Sequence, residues 1–183
     1  EDLIRISHYA SQCGGIKFLT PEQVAFIDQW EVENYRRKIV QSAAGENKLS
    51  NKIAIITGGA QGFGAGITES LYRMNLNVVV ADLNEEVGRM FVSGLVKIKS
   101  SGKAIFIKTD VSDPTSVKEL IASTVTEFGG LDIMISNAGV LKAGGLDEME
   151  PDIFSKTTNI NYNGYYHCAK YASEVMKQQN AVK

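Results

Sequence analysis

At 183 residues, 44% of them hydrophobic and 22% charged, the chain has the composition of an ordinary globular protein, long enough for one good core plus an appendage. Nineteen Lys and Arg against twenty-one Asp and Glu leave a formal charge of -2, with no long run of either sign, so neither nucleic acid nor an anionic membrane is an expected partner. No apolar stretch approaches the roughly 20 residues that cross a bilayer, and the opening EDLIRISHYA lacks the layout of a signal peptide, which makes a cytoplasmic address the expectation.

In TPEQVAFIDQWEVENYRRKIVQ, Thr20 and Gln23 have capping-box spacing, Pro21 takes the first helical position, and Val24, Ile27, Trp30 and Tyr35 recur at roughly helical intervals. This predicts a helix. The small and polar SAAGENKLSN then reads as a linker, with a domain boundary near Gly45 to Lys48. Two domains follow: a helical extension over 1–47 and a larger unit over 48–183.

Beyond the boundary, the short apolar runs IAIIT, NVVVAD, AIFIKT and LDIMIS are predicted as buried strands. Helices are predicted between them over 62–75, 84–100 and 113–128. The third has the clearest limits, opening at Asp113 and Pro114, closing at Gly129 and Gly130, and carrying Val117, Leu120, Ile121 and Val125 on one face. A last long helix is predicted from Pro151 to about Met176. Strict alternation of strand and helix, with strands apolar on both faces, calls for a parallel sheet covered on two sides. The expected fold is therefore α/β, a doubly wound, Rossmann-type parallel sheet, truncated after the helix that follows the fourth strand, with an N-terminal helical extension. The chain begins with Glu and ends in QQNAVK, which resembles no terminal structural element, and both ends read as cuts. Cys13 and Cys168 fall in different parts of the chain, with no CxxC spacing and only His8 and His167 as imidazole ligands, so reduced, half-buried cysteines are expected rather than a metal site or a disulfide.

The first strand runs into Thr57-Gly58-Gly59-Ala60-Gln61-Gly62-Phe63-Gly64, and a helix starts within that segment. Glycines let the chain turn sharply and bring backbone N–H groups close to a pyrophosphate, whose charge is also favoured by the positive end of the helix dipole. Such a cluster also suits a strand-to-helix turn that only needs tight packing. Asp82, at the end of the second strand, raises the odds of a cofactor. A carboxylate there accepts hydrogen bonds from both hydroxyls of an adenosine ribose and repels a 2′-phosphate, while Gln61 and Leu83 add no positive charge, so NAD is favoured over NADP. A solvated carboxylate at a strand end is the alternative.

These residues resemble the short-chain dehydrogenase/reductase family, because the loop has that family's TGxxxGxG spacing. Further matches appear in order along residues 48 to 183. Asp110-Val111 ends the third strand, where the family contacts the adenine ring. Asn137-Ala138-Gly139 ends the fourth, where the family's NAG motif supports the sheet and lines the nicotinamide ribose. Asn161 matches the family's catalytic asparagine, which kinks its helix and holds a water in the proton relay. Ser136 departs from the family's frequent second asparagine. The resemblance further implies a fifth strand bearing a serine, then a Tyr-x-x-x-Lys pair on the next helix, and neither segment is found here. Tyr166 and Lys170 do satisfy Tyr-x-x-x-Lys, but they follow the NAG segment too closely and share a helix with Asn161. Packing or a subunit contact suits the run Tyr162, Tyr165, Tyr166 and Tyr171 better.

Within residues 1 to 47, FLTPEQVAFIDQWEVENYRRKI looks like the tail of the class II, zinc-dependent sugar-phosphate aldolase domains that some bacteria fuse ahead of a short-chain dehydrogenase, and the loop wording GGAQGFG is similar to those fusions. A helical extension packed on the dehydrogenase or a neighbouring subunit is the competing reading. Together the resemblances imply an NAD-dependent oxidoreductase acting on a secondary alcohol or small aldehyde, sugar-derived, within a homo-oligomer. The fragment itself would bind NAD without turnover. A Rossmann module that is purely structural or regulatory stays open beside it.

Overall fold

The computed structural model describes residues 49–145 and 147–181. The helix expected after Thr20, the boundary near Gly45 to Lys48, His8 and Cys13 lie outside the described residues. Four strands, β1 (Ile53–Thr57), β2 (Asn77–Asp82), β3 (Ala104–Lys108) and β4 (Ile133–Ser136), form one parallel sheet in the order β3-β2-β1-β4. They alternate with the helices α1 (Gly62–Arg73), α2 (Glu85–Leu95) and α3 (Pro114–Phe128). After β4 come α4 (Pro151–Thr158), a π turn (Asn159–Asn163) and α5 (Gly164–Ala181). The fold is the expected doubly wound α/β sheet.

Successive side chains of a strand point to opposite faces, and the two central strands divide their apolar residues accordingly. Ile55 and Val79 pack with Val117, Leu120, Ile121, Cys168 and Ala172 on the face covered by α3 and α5. Ala54, Ile56, Val78 and Val80 pack with Tyr72 and Leu95 on the face covered by α1 and α2. Each fully buried Ile or Val contributes about 1.5–3 kcal/mol relative to exposure, so the β1-β2 pair anchors the sheet. The outer strands differ from expectation. β4 and most of β3 are only half-buried, and they are the outer two of the four described strands.

The capping signals act as read for α3, where the Asp113 carboxylate accepts the Thr115 N–H at 2.8 Å and Gly129 takes a left-handed φ of 84°. α2 is shorter than its predicted span. Ile98 keeps helical spacing with Leu95 and packs on the core, yet Lys97 and Ile98 already donate to Gly94 and Leu95 carbonyls in a tightened turn. The long helix after Pro151 is broken by the π turn and continues past Met176 to Ala181. Here the tail QQNAVK departs from the sequence reading: Gln179 is helical, its Oε1 accepts the Leu131 N–H at 2.8 Å, and its Nε2 donates to the Leu131 carbonyl at 3.1 Å. Cys168 is free, and it is fully buried rather than half-buried. Among the described residues, no helix is long and apolar enough to cross a membrane.

Candidate functional site

The carboxyl ends of all four strands open onto one crevice of about 560 Å³. Its floor and first wall are Gly58, Gln61, Gly62, Phe63 and Gly64 from the β1-α1 loop. Asp82 and Leu83 close it beyond β2, and Thr109, Asp110 and Val111 beyond β3. Asn137, Ala138, Gly139 and Val140 follow β4, and Ile160 reaches in from the π turn.

The β1-α1 loop is fixed from several directions. Gly59 N–H donates to the Ala81 carbonyl at 3.3 Å, and Ala60 N–H donates to Asp82 Oδ2 at 3.2 Å. Asn137 Nδ2 donates to the carbonyls of Thr57 and Gly58 at 3.0 and 3.1 Å. The buried Thr68 hydroxyl lies 2.8 Å from the Gly64 carbonyl and 3.2 Å from that of Gly59. At Gly64 a Cβ would stand 2.0 Å from Gly58 O, so the helix approaches the strand as closely as it does only because no side chain intervenes. Gly62 differs: its φ is +53°, and a Cβ there would meet nothing within 4 Å, leaving the lip of the crevice open. The first amides of a helix have no intrahelical acceptor, and α1 carries no acidic residue in its first turn. Gly62, Phe63 and Gly64 thus bring a partial positive charge and orphan donors to the crevice, an arrangement that suits an anion.

Asp82 is partly exposed. Besides holding Ala60, it accepts the Asn84 N–H on Oδ1 at 3.1 Å. Asp110 Oδ1 accepts from the Ser112 N–H at 2.9 Å and from its hydroxyl at 2.6 Å. His167 Nδ1 lies 3.1 Å from the Val111 carbonyl, which requires the proton on Nδ1 and ties α5 to the end of β3.

Two residues named from sequence are not crevice-lining. Thr57 is fully buried, and its hydroxyl accepts the N–H groups of Asn137 and Ala138 at 3.1 Å each, joining β1 to β4 from behind the crevice. Asn161 lies in the π turn, where Oδ1 accepts the Val140 N–H and Nδ2 donates to the Val140 carbonyl, both at 2.8 Å. Its amide thus grips the backbone that leaves the NAG segment. Tyr166 and Lys170 lie away from the crevice. Tyr166 is exposed with its ring edge-on to His167, and Lys170 Nζ sits 3.8 Å from Glu174.

Sequence reasoning missed Thr68, Thr109, Val140 and Ile160. Thr68 stands four residues after Gly64 on a predicted helix, a spacing at which a hydroxyl can bond back to the carbonyl, and that signal was available. Burial pushes the Cys168 thiol up from its ordinary range, with the Ser136 hydroxyl pulling the other way, so the sulfur is a packing group and not a nucleophile.

A glycine loop at a helix N-terminus, an acid ending β2 and an NAG segment ending β4, gathered on a parallel sheet, define a Rossmann-like class of α/β protein. The chain belongs to the short-chain dehydrogenase/reductase family: the family described as short chain dehydrogenase matches residues 52–182. It is 38% identical over 143 residues to tropinone reductase-like 2 of Erythroxylum coca, covering 75% of this chain and 50% of that protein. With the 2,5-dichloro-2,5-cyclohexadiene-1,4-diol dehydrogenase of Sphingobium indicum it shares 39% identity over 124 residues, 67% of this chain and 48% of the other. An uncharacterized oxidoreductase of Bacillus subtilis is 28% identical over 177 residues, which is 97% of this chain and 25% of that protein. Among solved structures, a short chain dehydrogenase/reductase from Burkholderia phymatum in complex with NAD superposes with a TM-score of 0.69 at 28% identity, covering 73% of this chain and 47% of the other. The chain spans about half the length of the first of these relatives.

Proposed function

We propose that the crevice binds NAD, and that the complete domain moves a hydride between the nicotinamide and a secondary alcohol or small aldehyde of sugar-derived type. One observation carries this reading: the open amide end of α1 and the Asp82 carboxylate face the same crevice, a donor set for a diphosphate beside an acceptor for a ribose. The residues fit the group, since Gly62 leaves its lip clear and, among the described residues, no basic side chain lines the crevice, Lys108 beside Asp82 on β3 being turned to Glu85 at 3.7 Å. The Burkholderia phymatum relative, described in complex with NAD, supports the choice.

In this reading Gly62, Phe63 and Gly64 hold the diphosphate, Asp82 and Leu83 border the adenosine ribose, and Asp110 and Val111 border the adenine. Gly58 and Gln61 shape the loop, with Thr57 bracing it from below. Asn137, Ala138 and Gly139 line the nicotinamide ribose, and Asn161 fixes Val140 at the edge where substrate would enter. The nicotinamide supplies the hydride chemistry when bound. Among the described residues, no Ser, Tyr and Lys gather at the crevice to serve as its proton donor.

The match to the Bacillus subtilis protein runs through nearly all of this chain, including residues before the family domain, yet occupies a quarter of that protein. This supports an extension over 1–47 that belongs to a further domain, for which an aldolase remains the proposed identity. A homo-oligomer assembled through the π turn and α5 suits the exposed Tyr162, Tyr165 and Tyr166.

Calorimetric titration of the chain with NAD and NADP tests the binding. NAD is expected to bind at least about tenfold tighter, one well-placed hydrogen bond or charge repulsion being worth about 1.4 kcal/mol. Equal affinities, or preference for NADP, would remove the ribose assignment. Turnover of polyols and aldehydes by the longer protein, followed by NADH absorbance, tests the hydride step.

A further inference from the structure

Of the ties that hold the β1-α1 loop, the one made by Asp82 joins two functions in a single charged group. Its Oδ2 accepts the Ala60 N–H at 3.2 Å, and the neighbouring Gly59 N–H is held by the Ala81 carbonyl at 3.3 Å. The end of β2 thus clamps two consecutive amides of the loop. Oδ1 meanwhile accepts the Asn84 N–H at 3.1 Å, two residues along the chain, so both oxygens are oriented by backbone donors. The other side-chain ties to the loop come from neutral groups, the Asn137 amide and the Thr68 hydroxyl.

We infer that Asp82 is a positioning residue for the phosphate-binding loop as well as the ribose acceptor, and that the backbone bonds prepare it for a vicinal diol. This rests on the dinucleotide reading above. An ionised carboxylate offers about two acceptor sites on each oxygen. The backbone takes one on Oδ1 and one on Oδ2, which leaves one on each, on a side chain that lines the crevice. Two free sites on a fixed carboxylate match two adjacent hydroxyls. A change at Asp82 therefore alters the amides that receive the diphosphate, even for a cofactor that never touches the carboxylate.

The consequence is specific. Asp82→Ala removes the repulsion of a 2′-phosphate, yet it also frees Ala60 and loosens the loop, so its affinity for NADP does not rise above that of the unaltered chain. Asp82→Asn keeps one acceptor for the Ala60 N–H without the charge, and NADP binds it more tightly than it binds the alanine variant. Hydrogen exchange on the ligand-free chain reads the tether without any cofactor: amides in 58–64 are expected to exchange about tenfold faster in Asp82→Ala and to regain most of that protection in Asp82→Asn. Unchanged exchange in both variants would overturn the tether. So would an alanine variant that binds NADP better than both the unaltered chain and Asp82→Asn. If exchange responds as expected while neither NAD nor NADP binds the unaltered chain, the tether stands and the cofactor reading falls.

Discussion

The loop joining β1 to α1 and the segment that follows β4 meet at the same crevice, yet they are held in different ways. The first is tied to β2, β4 and α1 by bonds from Ala81, Asp82, Asn137 and Thr68, and a Cβ at Gly64 would penetrate its neighbour's backbone. The second, described over 140–145 and 147–150, is mostly exposed and irregular, and Asn161 grips it at Val140. Apolar side chains differ as well. Each region exposes a large apolar side chain, Phe63 at 91% and Leu141 at 92%, but the first region rests on the fully buried Ile55 and Ile56 of β1. Holding a diphosphate needs fixed amides, and fixed amides need a closed hydrogen-bond network.

The sharpest way to break this contrast is to place equivalent bulk in both regions. Gly64→Ala is expected to cost about 3 kcal/mol and abolish dinucleotide binding, because its Cβ meets Gly58 O at 2.0 Å and Asn137 Nδ2 at 2.6 Å. Gly144→Ala, whose Cβ would come no nearer than 3.5 Å to the Glu148 carboxylate, is expected to change stability by less than about 0.5 kcal/mol. Urea unfolding of both variants measures the difference, and equal losses would erase the distinction. Next in size, Asn137→Ala strands the Thr57 and Gly58 carbonyls and is expected to cost about 2 kcal/mol, while Asn161→Ala, at an exposed position, costs about 1 kcal/mol or less. Gly62→Leu strains a positive φ by about 1–2 kcal/mol but has room, so the fold persists while calorimetry shows NAD binding lost.

Alkaline titration probes the burial beneath β4. The folded Cys168 thiol is raised above its ordinary 9.0, so above that pH the unfolded state loses its proton first. Stability is therefore fully present below about pH 9 and declines as pH rises further. Cys168→Ala should flatten that decline in thermal melts recorded from pH 8 to 10. Smallest of all, Tyr166→Phe and Lys170→Ala are expected to leave NAD affinity within about twofold, because neither residue lines the crevice. A large loss from either would return the pair to the functional site.

Much of the first region was legible in the chain because its signals are local. Glycine spacing, an acid at a strand end and a capping Asp each act within a few residues, and the alternation of strands and helices fixed their order. The hydrogen bonds that turn Thr57 inward and bring Asn161 onto Val140 span 80 and 21 residues, and no local pattern announces them. The end of α2 was misjudged for a related reason: Ile98 is apolar because it packs on the core, not because it continues a helix. Which of the four described strands stand outermost is likewise something periodicity does not encode.

The π turn at Asn159–Asn163 inserts a phase step between α4 and α5. An α-helical residue advances about 100° around its axis, so one additional residue within a turn swings everything downstream by a comparable angle. Excising a single residue there would restore a regular ladder of bonds, yet it would rotate Cys168 and Ala172 off the sheet or carry Ile160 out of the crevice. The irregularity works as a crankshaft, letting one continuous rod serve the buried face at one end and the cleft at the other.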